Sequence, residues 1–187
     1  MADGTLKVGQ IITSSGSGTI TLGQSGETVD MSNVTQTGVG EKNSPYFSAW
    51  RTGDQTGISD DTITVMAMDN VLQNASEYNT SNYRFTPQTA GKFYLWNVVH
   101  VFTTDNTGVA CVSQIRKNGT AIAGTFPTFS FDGTSTRFRQ CFVTTACVDS
   151  ANGSSDYFDF TFAIDVASGS NFALGTGSRI GGFLLTS

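Results

Sequence analysis

The chain has 187 residues, of which 13% are charged, and its ten Lys and Arg against fifteen Asp and Glu give a formal net charge of −5. That length suits one domain with an appendage and can hold a core without disulfide staples. The acids are scattered and no basic cluster could neutralise a row of phosphates, which argues against nucleic-acid binding. The 21 Gly, with abundant Ser, Thr and Asn, favour short strands joined by turns over helices.

Residues 1–43 contain no aromatic residue and are dense in Gly, Ser and Thr, so they read as an N-terminal arm. The opening MADGTLKVGQ has no charged leader followed by an apolar stretch, and the longest apolar runs fall short of a membrane span. The expectation is a chain neither secreted through a signal peptide nor inserted in a membrane. Within the arm, Thr5-Leu6-Lys7-Val8-Gly9-Gln10 recurs fourteen residues later as Thr19-Ile20-Thr21-Leu22-Gly23-Gln24, with a Gly/Ser turn at 14–18 between them. Leu6, Val8, Ile20 and Leu22 alternate as a partner-facing strand edge would. A lone hairpin is marginal in water, so these four residues are the candidate attachment edge to a host surface.

After Pro45 the rhythm is that of strands. Tyr46 to Thr52 opens it and Gly53 to Asp61 is a polar loop. Thr62 to Met68 then alternates Ile63, Val65 and Ala67 with Thr64, Met66 and Met68. Val71 to Asn82 is irregular. Ala110 to Arg116 and Thr120 to Ala123 flank Asn118-Gly119, a pair that favours the tight hairpin turn. Thr136 to Val148 reads as a strand with Phe138, Phe142 and Val148 as its apolar set, and Asp149 to Ser155 as a turn. Tyr157 to Ile164 sets Phe158, Phe160 and Phe162 against Tyr157, Asp159 and Thr161, a half-buried pattern. Phe172 to Leu174 and Ile180 to Leu185 close the chain. Nine or ten short strands separated by turns predict an all-β, jelly-roll sandwich over 44–187.

The organising stretch is Phe85 to Phe102, FTPQTAGKFYLWNVVHVF. From Lys92, Phe93, Leu95, Asn97, Val99 and Val101 fall on one face, and Tyr94, Trp96, Val98, His100 and Phe102 on the other. An antiparallel strand usually buries one face, so a strand apolar on both needs a second cover. A subunit interface supplies it.

The spacing of Tyr78, Phe85, Gly91, Phe93 and Leu95 resembles the signature of the globular heads of the complement-one-q and tumour-necrosis-factor superfamily. Phe47-Ser48-Ala49-Trp50 is similar to the first strand of such heads, Ile115 to Gly119 to their central hairpin, and Ile180 to Leu185 to their closing strand. The chain departs from the pattern with Phe93 for Tyr, Leu95 for Phe, Asn97 for an aromatic and Gln73 for Asn or Asp. The resemblance implies a homotrimer in which Phe93 and Leu95 face the protomer core and Tyr94, Trp96, Val98, His100 and Phe102 face the axis. His100 would then occur three times near that axis, and the trimer is expected to weaken in acid. The arm resembles a segment near the start of virion proteins of tailed phages that infect marine bacteria, in its Thr-Leu-Lys-Val opening and in Ile20 to Thr28.

Catalytic chemistry finds little support. His100 is the single histidine and sits inside a strand, away from the loops where sites concentrate. The pairs Asp60-Asp61 and Asp156 with Asp159 have no acid/base partners around them and read as solvated acids. Cys111, Cys141 and Cys147 are an odd set without ligand spacing, so buried free thiols are expected and no zinc site. Asp149 to Gly153 and Asp105-Asn106 could offer oxygens to calcium, but no twelve-residue calcium loop is present, and no metal or cofactor is assigned. Trp50 and Trp96 fit core or interface better than a sugar platform.

The expected function is therefore structural: a trimeric capsid decoration or head-fibre protein of a tailed bacteriophage, assembled in the host cytoplasm and anchored to the virion by its arm. Its expected partners are its own copies and a major capsid protein or tail component. The alternative is the receptor- or glycan-binding tip of a tail fibre or baseplate, which adds a host-surface glycan. An enzyme ranks last.

Overall fold

A computed structural model describes residues 43–73, 75–103, 108–130, 140–166 and 172–186. In chain order the strands are β1 Tyr46–Trp50, β2 Thr64–Val65, β3 Asn70–Gln73, β4 Tyr78–Asn79, β5 Arg84–Phe85, β6 Ala90–Thr103 and β7 Gly108–Lys117. They continue as β8 Thr120–Ala121, β9 Thr128–Ser130, β10 Gln140–Asn152, β11 Phe158–Val166, β12 Phe172–Leu174 and β13 Arg179–Thr186. The described residues contain no helix.

Two antiparallel sheets face each other. The first runs β10-β6-β13-β1-β3, with β12 also paired to β6. The second runs β4-β5-β11-β7-β8, with β2 paired to β11 and β9 to β7. The long strand read as central is an interior strand, second along its sheet: β10 follows β6 from Gln140 opposite Phe102 to Asn152 opposite Ala90, and β13 lies along its other side. Every residue on the predicted core face of β6 is buried: Phe93, Leu95, Val99 and Val101 completely, and Asn97 nearly so. They meet Phe158, Phe160 and Phe162 of β11, Ile115 of β7 and Phe85 of β5 between the sheets. Phe85 stacks on Phe47 at 4.4 Å between centroids, and Phe47 on Tyr78 at 5.2 Å. Each such ring contributes about 1.5–3 kcal/mol by leaving water.

Asn97 carries polar links across this layer, among them its Nδ2–H to the Gln114 carbonyl at 3.5 Å. Ser113 of β7 donates its hydroxyl to Asn97 Oδ1 at 2.7 Å, so a buried amide ties one sheet to the other at a fixed register. The hairpin between β7 and β8 turns at Asn118 and Gly119, with φ of 52° and 80°, the left-handed pair that the Asn-Gly sequence favours. Asn118 also accepts from the Tyr157 N–H at 2.9 Å and donates to Asp156 at 2.8 Å, which holds the hairpin to the β10–β11 connection.

Several expectations are corrected. Thr62 to Met68 pairs only at Thr64–Val65, and its buried residues are Met66 and Met68, while Ile63 is exposed. The strand expected to end at Val148 continues to Asn152 because β6 offers pairing that far, and Phe142 and Val148 are exposed, not core. Val143 and Thr145 point inward instead; 136–139, with Phe138, lies outside the described residues. β11 is buried on both faces, because its polar side is filled from β7. Arg116 grips Asp159 through two bonds of 2.6 and 2.9 Å, and Thr161 donates to Gln114 at 3.3 Å. Asp159 is therefore an ion-paired buried carboxylate, not a solvated acid.

Candidate functional site

The outer face of the first sheet is where the candidate interface side chains gather. Register fixes the rows. Val148, Tyr94, Phe183 and Tyr46 lie abreast across β10, β6, β13 and β1. The next row is Ala146, Trp96, Gly181, Ser48 and Leu72, and the one beyond is Thr144, Val98, Arg179 and Trp50. Phe142 then faces His100. Five strands thus combine into one largely apolar and aromatic surface, with Ser48, Thr144 and Asn70 as its polar members and a single charge, Arg179, in these rows. Solvated sheet faces alternate polar residues outward; this one does not.

All five residues expected on this face, Tyr94, Trp96, Val98, His100 and Phe102, are on it, each half-buried by its neighbours. Tyr94 and Phe183 pack at 5.3 Å, and the Arg179 guanidinium sits 5.6 Å from the Trp50 ring centre. The Trp96 indole lies so close over Gly181 that a Cβ there would come within 2.5 Å of the ring. At the rim, large apolar groups remain open: Leu72 at 59%, Phe142 at 58%, Val148 at 52% and Tyr46 at 43%. A contiguous exposed apolar patch of this kind marks an interaction surface. Sequence reasoning missed Tyr46, Leu72, Phe142, Val148 and Phe183, because only the long-range pairing of β1, β3, β10 and β13 puts them beside β6. The Tyr46-Ser48-Trp50 alternation was a visible signal for part of it.

His100 lies at one end of this face, partly buried. Its ring stacks on Phe142 at 4.4 Å and 7°, and the turn before β13 covers it. A Cβ on Gly175 or Gly177 would lie 2.6 or 2.8 Å from Nδ1, so only glycine lets the turn close over the ring. The Gly175 N–H donates to the His100 carbonyl at 2.8 Å, and the His100 N–H donates to Ser178 Oγ at 2.9 Å. Both ring nitrogens are buried without a partner.

The other candidates are dispersed. Asp60 accepts from the Val166 N–H at 2.9 Å, and Asp149 from the Ser150 N–H at 2.6 Å. The bond from Asn118 holds the Asp156 carboxyl below the usual carboxylate range. Burial pushes the Cys147 thiol up to about 11, and Cys111 is buried. Among the described residues no three His, Cys, Asp or Glu gather as metal ligands. A groove of about 640 Å³ runs beside the β7–β8 hairpin, lined by Lys117 to Asn118, Thr120 to Ala123, Val148 and Asp149. No aromatic residue lines it. Asp105-Asn106 and the attachment residues Leu6, Val8, Ile20 and Leu22 lie outside the described residues.

This arrangement of strands is the jelly-roll sandwich of the tumour-necrosis-factor-like class. Among solved structures it is similar to murine APRIL at pH 5.0, with a TM-score of 0.50 and 12% identity, over 75% of this chain and 98% of that one. At that identity the likeness speaks to fold alone. No protein-family model matches the sequence, and no curated protein matches it.

Proposed function

We propose that the chain is a structural, non-enzymatic protein that assembles as a homotrimer through the outer face of its first sheet. The observation that carries this is the surface itself, five strands wide and dominated by Tyr46, Trp50, Tyr94, Trp96, Val98, Phe142 and Phe183. Covering it removes aromatic rings from water, the dominant favourable term in association. The resemblance noted in the sequence supplies the threefold order.

The proposed setting is the virion of a tailed bacteriophage, assembled in the bacterial host, where the trimer is a capsid decoration or head-fibre protein and residues 1–43 attach it to a capsid or tail protein. Support for this comes from the arm's residue pattern, with Leu6, Val8, Ile20 and Leu22 suited to strand addition on a host sheet. The test is to add a chain of residues 44–187 to particles lacking the native protein. The truncated head is expected to fold and assemble, because its core lies within 47–184, and to fail to decorate. Normal decoration would refute the arm's role. Specific retention on host polysaccharide by the same truncated head would favour the tail-tip reading.

A further inference from the structure

We propose that β10 makes a second contact between copies of this chain, its open edge pairing antiparallel with the same edge of another copy about a twofold axis at Thr145. The inference does not depend on the threefold contact proposed above. β10 is the edge strand of the first sheet, and among the described residues it pairs with β6 alone. Register identifies its outward backbone groups. The His100 N–H and carbonyl bond Ser178 and Gly175, on the side of β6 away from β10. Phe142, opposite His100, is therefore a non-hydrogen-bonded partner, and its own N–H and carbonyl point away from β6. Alternation gives the same orientation to Thr144, Ala146, Val148, Ser150 and Asn152.

The two ends of this edge differ. At one end it is closed: Lys117 Nζ donates to the Ser150 carbonyl at 2.7 Å, the Ser150 N–H to Asp149 at 2.6 Å and the Asn152 N–H to Asp156 at 3.0 Å. From Phe142 to Val148 no group of the described residues takes the outward N–H and carbonyl groups. Folded proteins guard such edges with charge, proline or a covering segment. The stretch from Phe142 to Val148 contains neither a charged residue nor a proline.

Thr145 selects the partner. Its side chain points between the sheets, 6% exposed, and its hydroxyl is buried without a partner. It lines a groove of about 360 Å³ together with Gly124, Phe126, Pro127, Thr144 and Ala146. A strand added to β10 lays its inward side chains in that groove. When that strand is a second β10 centred on Thr145, Phe142 of each copy pairs with Val148 of the other, and Thr144 with Ala146, so the open backbone groups of the stretch are all taken. The two Thr145 then meet as a non-hydrogen-bonded pair, where side chains come closest and threonine hydroxyls bond each other. Phe142 against Val148 is an aromatic and β-branched pair, a favourable cross-strand combination. The closed end at Ser150 stops the pairing.

One strand edge buries less than the roughly 1,000 Å² of a stable interface, so the contact is weak in solution and is best captured covalently. The full chain carrying Cys141→Ser and Cys147→Ser receives one new cysteine, at Thr144, Thr145 or Val148, and is oxidised in air with copper phenanthroline. A non-reducing denaturing gel then counts linked chains, whether or not the chain is also trimeric. Directly opposed Thr145 positions bring the Cα atoms to about 4.5 Å, inside the disulfide range of about 4.4–6.8 Å. Thr145→Cys is expected to link roughly tenfold more than Val148→Cys, whose two copies lie at opposite ends of the paired stretch. Ala146→Pro added to Thr145→Cys should abolish the link, since it removes an outward N–H at a position where an edge strand tolerates proline. Ala146→Lys does the same by charge should the proline variant not fold. Linking at Thr145→Cys no greater than at Val148→Cys overturns the proposal, as does linking that both Ala146 variants leave unchanged. Stronger linking at Thr144→Cys refutes the axis at Thr145. A trimeric mass without the Thr145 link refutes the edge contact alone, and the link in a chain that never forms trimers refutes the threefold contact alone.

Discussion

Glu77 shows how a single buried group sets a pH dependence. It is 8% exposed, its Oε1 accepts from the Gln88 N–H at 3.0 Å, and its Oε2 is buried with no partner. Burial raises its carboxyl above the ordinary carboxylate range, against the smaller lowering effect of the Gln88 bond. A carboxyl harder to ionise folded than unfolded holds its proton more tightly in the native state. It therefore costs stability above its folded pKa, and the cost disappears as pH falls below the unfolded value of about 4.3. Glu77→Gln keeps the acceptor for Gln88 and removes the charge. Denaturant unfolding is expected to show the variant more stable at pH 8, with the gap closing as pH falls toward the unfolded carboxyl value. A gap that is constant across that range, or reversed, would contradict the account. Nothing in the sequence around Glu77 distinguished it from the other acids, because its burial comes from the backbone of 86–88 folding back over it.

At the scale of elements, β6 was legible and its surroundings were not. Alternation from Phe93 to Phe102 assigns both faces correctly, since period-two spacing is a local property of one strand. Which strands lie beside it is non-local. Phe142 and Val148 look like core residues by hydrophobicity, and only the pairing of β10 with β6 sends them outward. The polar side of β11 failed for a different reason: Asp159 and Thr161 look solvated, and their burial depends on Arg116 and Gln114 from β7. The hairpin at Asn118-Gly119 was legible because two adjacent residues determine it. Within the outer face, β13 passes beneath Trp96 without a side chain at Gly181, and that absence sets how low the indole lies. Gly181→Ala should push the ring off the sheet. Overpacking of this kind costs about 1–3 kcal/mol, so the variant is expected to melt earlier, to associate more weakly and to show an altered tryptophan emission. Unchanged association and emission would mean that the Trp96 position does not matter to the interface.

For the whole molecule, the two faces of the first sheet have separate roles. The inner face, with Phe93, Leu95 and the aromatic cluster around Phe85, closes the sandwich and is complete within one chain. The outer face carries comparable aromatic content and leaves Phe142, Leu72 and Val148 more than half exposed. Self-association is the reading that explains why β6 is apolar on both sides. It is tested most directly by the mass of the full chain in solution, measured by light scattering at micromolar concentration and pH 8. The account predicts three times the 19.8 kDa of one chain, and a stable species of 19.8 kDa would contradict it.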